Sequence, residues 1–129
     1  MRLFYLSTDE LNAALVRDWC GRKGVAVECH GLADLAAPGP QDAVLIDGDH
    51  PPVGRLERLL SRLGAEGDFN PAIAAHGYGG SCDRLRRRGV TVYRRLEARV
   101  LKELTLAAMS RELAMASDSP EELTWINLD

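Results

Sequence analysis

Asp47 and Asp49 flank a single glycine directly after the apolar run Ala43-Val44-Leu45-Ile46. Two carboxylates that close can share a hard divalent cation, and one of them can attack a phosphoryl group that the cation neutralises. Asp9 is the third acid on which such a metal set would draw. The plainer role for Asp47 is structural, because strands of α/β sheets often end in an aspartate that enters the next turn. His76, before Gly77, also has two readings: a ligand or pH-sensitive group, or the commoner loop hydrogen-bond partner. Gly77, Gly79 and Gly80 give the freedom to wrap an anion, but the lysine and spacing of a P-loop are missing, which favours a plain turn.

The elements that position these groups follow from hydrophobic period and punctuation. Arg2 to Leu6 reads as a buried strand, and Ser7 and Glu10 as an S-x-x-E capping box opening a helix. That helix runs to about Cys20, with Leu11, Leu15 and Trp19 expected as its core stripe and Gly21 and Gly24 near its end. Val25 to Cys29 is a second strand. The connection from Gly31 to Gln41 is cut by Pro38-Gly39-Pro40 and has room for at most a short, degenerate helix. Ala43 to Ile46, ending at Asp47, has the continuous apolar pattern of a central parallel strand. Val53, Leu56, Leu59, Leu60 and Leu63 form the stripe of an amphipathic helix. Pro71 to Ala75 is a fourth strand, Ser81 to Arg88 a short helix, and Val90 to Tyr93 a fifth strand. Leu96, Val100, Leu101, Leu104, Ala108 and Leu113 mark a long helix reaching Ala116. Strands alternating with helices imply one α/β domain over residues 1–116, a three-layer sandwich around a five-stranded parallel sheet. In open sheets of this kind ligands sit at the carboxyl ends of the strands, where Ser7, Asp47 and His76 should converge.

Residues 117–129 form an acidic tail in which Ser119-Pro120-Glu121-Glu122 is a strong helix start and Leu123, Trp125 and Ile126 are apolar. A short helix packed back on the domain is expected. At 129 residues and 46% apolar content, the chain can bury a core without staples. Its net charge of −3 argues against a surface wholly given to nucleic acid or an anionic membrane. Cys20, Cys29 and Cys82 lack any C-x-x-C pairing, so neither a disulfide framework nor a zinc site is signalled, and they read as reduced thiols of the cytoplasm. The apolar start of the chain meets acid by Asp9, too soon for a signal peptide or a membrane span.

The alternation, with acid closing the third strand in DAVLIDGDHPP and with RRRGVTVYRRL around the fifth, resembles the receiver domain of response regulators, whose fold is flavodoxin-like. The resemblance covers Arg2 to about Ala116. It puts Asp47 at the phosphoacceptor position and Tyr93 at that of the switch aromatic. The other positions depart. Ser7 and Thr8 stand where the family holds its Mg²⁺ with an acidic pair, and His76 stands where it has a switch serine or threonine. Leu96 stands at its lysine and Glu97 at the proline that follows, with Arg94 and Arg95 nearby. Phosphoryl transfer to a carboxylate needs positive charge on the moving oxygens. The departures therefore resemble the pseudo-receiver branch, which keeps the fold as a protein-binding module of bacterial signal transduction, without catalysis or cofactor.

Two alternatives stay open. One is a receiver still phosphorylated on Asp47, with Mg²⁺ held by Asp9, Asp47 and Asp49. The other is a small metal-dependent phosphotransfer enzyme built on Asp47 and Asp49; it resembles haloacid-dehalogenase phosphatases or Toprim nucleases, but the strand order and the missing glutamate fit neither. Arg84, Arg86, Arg87, Arg88, Arg94, Arg95 and Arg99 crowd one stretch against Asp83 and Glu97. In the receiver fold they line the face of the fourth helix, fifth strand and fifth helix, which implies docking of an acidic protein partner or a homodimer. A merely solvated helix face is the bland reading. Nucleic acid is disfavoured, because no aromatic residues interleave the arginines.

Overall fold

Ala43–Asp47 forms β3, and all five of its residues are buried. A strand apolar on both faces needs cover on both, and helices on either side supply it. The computed structural model of the chain describes residues 1–31, 38–39, 41–52 and 72–116. Within these, β1 (Arg2–Leu6), α1 (Glu10–Lys23), β2 (Ala26–His30), β3, β4 (Ala72–His76), α2 (Gly80–Arg87), β5 (Thr91–Tyr93) and α3 (Ala98–Ala116) follow in order. All strand pairs are parallel and the sheet order is β2-β1-β3-β4-β5, the flavodoxin-like order. The expected helix over residues 53–63, the greater part of the Gly31 to Gln41 connection and the tail at 117–129 lie outside the described residues.

The period of two along the strands sorts their side chains into two layers. Leu3, Tyr5, Ala43, Leu45, Ala72 and Ala74 face α1 and α3, meeting Ala13, Val16 and Cys20 from the first and Val100, Leu101, Leu104 and Ala108 from the second. Phe4, Leu6, Val44, Ile46 and Ala75 face the other way, against Leu85 of α2 and Val90. This is the three-layer α/β sandwich expected from the sequence. No described helix is long and apolar enough to cross a membrane.

Three local expectations need correction. The buried stripe of α1 is Ala13, Val16 and Cys20, while Leu11 and Leu15 are 76% and 60% exposed and Trp19 is half-buried. Small side chains let the helix approach the sheet closely, and the larger leucines of the neighbouring stripe are turned out. The capping box does not form. Asp9 is the N-cap and makes no side-chain cap bond; Ser7 lies two residues before it, its Oγ donating to Asp47 and accepting from the Asp9 N–H. In α3 the stripe holds from Val100 to Ala108, but Leu96 precedes the helix and Leu113 is exposed.

Candidate functional site

The chain leaves β3 at Asp47, and parallel registry sets Asp47 beside His76 of β4 and His76 beside Tyr93 of β5. β1 stands on the other side of β3, so the order reverses between β1 and β3 at this point, where ligand crevices of open sheets lie. The expected convergence of Ser7, Asp47 and His76 is found, and all three side chains are buried.

Asp47 is fully buried, and its carboxylate is filled. Oδ2 accepts from Ser7 Oγ at 2.8 Å and Asn12 Nδ2 at 2.9 Å. Oδ1 accepts from the backbone N–H groups of Asp49 at 3.1 Å and His50 at 3.0 Å. Tyr5 Oη adds a long contact of 3.4 Å to Oδ2. An ionised carboxylate has about four lone-pair positions, so the four short bonds saturate it. Burial by itself would raise the Asp47 pKa; the bonds from Asn12, Ser7 and the His50 N–H, with His76 close by, outweigh it and hold the group below its ordinary range.

Tyr5 Oη and His76 Nε2 are hydrogen-bonded across 2.7 Å, and their rings stack 5.8 Å apart. His76 Nδ1 lies 4.0 Å from Asp47 Oδ1, an electrostatic neighbour rather than a hydrogen-bond partner. Burial lowers the His76 pKa, with Asp47 and Asp49 opposing, and burial together with Asp47 keeps the Tyr5 hydroxyl protonated far above its usual range. Neither Tyr5 nor Asn12 stands out in the sequence. The available signal is periodic: Tyr5 points into the same layer as Leu45, and Asn12 sits in the first turn of α1, level with the strand ends.

Asp49 is not beside Asp47 as a second ligand. Its exposed carboxylate accepts from the N–H groups of Tyr78 and Gly79, both at 2.7 Å. The glycine turn thus wraps an anion, and the anion is the chain's own Asp49. Gly77 permits this with φ +128°, and a Cβ there would meet the Asp49 carboxyl carbon at 2.8 Å. Thr8 stays at the surface, where its N–H and hydroxyl tie the His50 carbonyl to the end of β1.

A cluster that could hold a metal among the described residues is Asp9, Asp47 and His50, with one donor atom from each within 4.8 Å of the others. The Mg²⁺ implied by the receiver resemblance does not fit these groups. The lone pairs of Asp47 already face donor hydrogens, and the acidic-pair positions carry the neutral hydroxyls of Ser7 and Thr8. A cation entering there would have to displace Ser7 and Asn12 first.

The remaining candidates lie outside this site. Tyr93 is half-buried and donates from its hydroxyl to Glu103 of α3 at 2.7 Å, with the Arg99 guanidinium 6.0 Å from its ring centre. Arg84, Arg87 and Arg88 are exposed along α2 and its end, and Arg94, Arg95 and Arg99 are exposed between β5 and the first turn of α3. Among the described residues no lysine or arginine pairs with Asp47. Compared with known proteins, the chain matches no protein-family model and no curated protein.

Proposed function

We propose that the chain is a pseudo-receiver, a cytoplasmic module of bacterial-type signalling that acts by contact with an acidic protein rather than by accepting a phosphoryl group. The observation that carries this is the saturation of Asp47. A carboxylate nucleophile must offer a lone pair to the incoming phosphorus, and a receiver must bring cationic charge to the transferred oxygens. Here Ser7, Asn12 and two backbone N–H groups take those lone pairs. In this reading Asp47 ties β1, α1 and the turn after β3 into one constitutive conformation. The exposed arginines on α2, β5 and α3 provide the docking face, and their charge selects an acidic surface.

The phosphorylatable receiver is the second reading: Asp9 and His50 lie close to Asp47, but an ion could join them only if Ser7 and Asn12 first released the Asp47 carboxylate. A phosphotransfer enzyme would need a further acid or base at the site, where His76 is already engaged with Tyr5. Titration with Mg²⁺ and beryllofluoride, followed by amide NMR with Asp47→Asn as the control, decides between the first two. No saturable shift around Asp47 is expected. Saturable shifts that disappear in Asp47→Asn would replace the pseudo-receiver with a phosphorylation switch.

A further inference from the structure

At the carboxyl ends of β4 and β5, a pocket of about 430 Å³ opens between Tyr78, Tyr93, Arg94, Arg95, Glu97 and Arg99. From this pocket we infer a binding site for a phosphorylated aromatic small molecule of mononucleotide size. The inference does not rest on the closed Asp47 carboxylate, but it gives Arg94, Arg95 and Arg99 of the proposed docking face a small-molecule ligand of their own.

Charge comes first. Three arginines meet one acid in the pocket wall, and Arg94 and Arg95 have no ion-pair partner among the described residues. Planar guanidinium forks match phosphate oxygens two at a time, so unpaired arginines side by side favour a phosphate over a single carboxylate.

Aromatic surface comes second. The Tyr93 ring is fixed from both ends, by its hydroxyl bond to Glu103 and by the Arg99 guanidinium near its face. Tyr78 is 68% exposed, an unusual place for a large ring, and the backbone that carries it is tied down. Its N–H and that of Gly79 both end on Asp49 Oδ1, which anchors the turn that presents the ring. A preformed aromatic beside arginine forks supports stacking of a planar base while its phosphate is gripped. Glu97 weighs against a ligand that is only anionic, and can accept hydrogen bonds from hydroxyl or amino groups of a nucleoside.

Size and place agree with this. Small-ligand sites generally have volumes of about 300–1,000 Å³, which brackets the pocket. Its position at the strand ends is where open parallel sheets bind ligands.

ADP is the test probe, with pyrophosphate and adenosine as its separated halves, each titrated into the full chain and followed by amide NMR. Saturable shifts at Tyr78, Tyr93, Arg94 and Arg95 are expected with ADP, tighter than with either half. The double variant Arg94→Gln/Arg95→Gln should weaken ADP binding about tenfold or more, the loss due to charge-assisted bonds. Tyr78→Ala should weaken ADP while leaving pyrophosphate unchanged. All three positions are exposed, and an unchanged amide spectrum elsewhere verifies the fold. The inference is overturned if ADP shows no saturation up to about 5 mM, a free-energy gain of only about 3 kcal/mol. It is equally overturned if pyrophosphate binds as tightly as ADP, or if the double variant binds ADP as the natural chain does.

Discussion

A single aspartate at the end of a strand can be a nucleophile or a fastener, and its neighbours decide which. Asp47 has two donors on each oxygen, from four different positions along the chain. Replacement by asparagine keeps the shape but turns one oxygen into an NH₂ that must face donors whichever way the amide is set. Oδ1 is the harder position to give up, because both of its donors are backbone N–H groups that cannot rotate away. Asp47→Asn is therefore expected to destabilise the fold by about 1–3 kcal/mol, the penalty for buried donors left unsatisfied. Urea unfolding measures it. A change near zero would mean that Asp47 is not a fastener and that its carboxylate is open to a phosphoryl group. Asp49 shows the same logic in the open, since its partners Tyr78 and Gly79 are backbone donors of a turn that only glycine at position 77 allows.

Element by element, what could be read in advance depended on how many residues carry each signal. β3 was legible because four apolar residues and an acid say the same thing, and all five prove buried. α1 was legible as a helix but not in its rotation. Leu11, Leu15 and Trp19 repeat every fourth residue just as Ala13, Val16 and Cys20 repeat every third or fourth, and size suggested the wrong stripe. The sheet chooses the small residues because they let the helix axis come close, which no count of hydrophobic residues reveals. The rotation has a measurable consequence. Val16→Ala should lower stability by about 1–2 kcal/mol through lost burial and a residual cavity. Leu15→Ser should change it by no more than about 0.5 kcal/mol, as for an exposed site. Equal losses in urea unfolding would restore the leucine stripe to the core. The convergence of Ser7, Asp47 and His76 was legible from the strand-end rule alone. Tyr5 and Asn12 were not, because contacts spanning 42 and 35 positions depend on register and helix rotation together.

Asp47 and His76 are buried at the strand ends, so they should govern the response of the fold to acid. Burial depresses the His76 pKa from its ordinary value of 6.5, although Asp47 and Asp49 pull the other way. The unfolded chain then takes up a proton at a higher pH than the folded chain does. The stability that this contributes is fully present above about pH 6.5 and is lost as pH falls below it. Asp47 acts lower on the scale. Burial opposes its ionisation, but the bonds from Asn12, Ser7 and His50 win and depress its pKa below 3.8, so its contribution is present above that value and disappears as pH falls further. Urea midpoints measured from pH 8 to pH 3 should therefore fall in two stages, one below about pH 6.5 and one below about pH 4. His76→Gln should flatten the first stage and leave the second in place. Asp47→Asn should remove the second, and should also steepen the first, because it takes away a carboxylate that favours protonated His76. A midpoint that holds steady or rises between pH 7 and pH 5 would show that His76 takes its proton in the fold as readily as in the open chain. The Tyr5, His76 and Asp47 group would then be looser than a buried, close-packed lock allows.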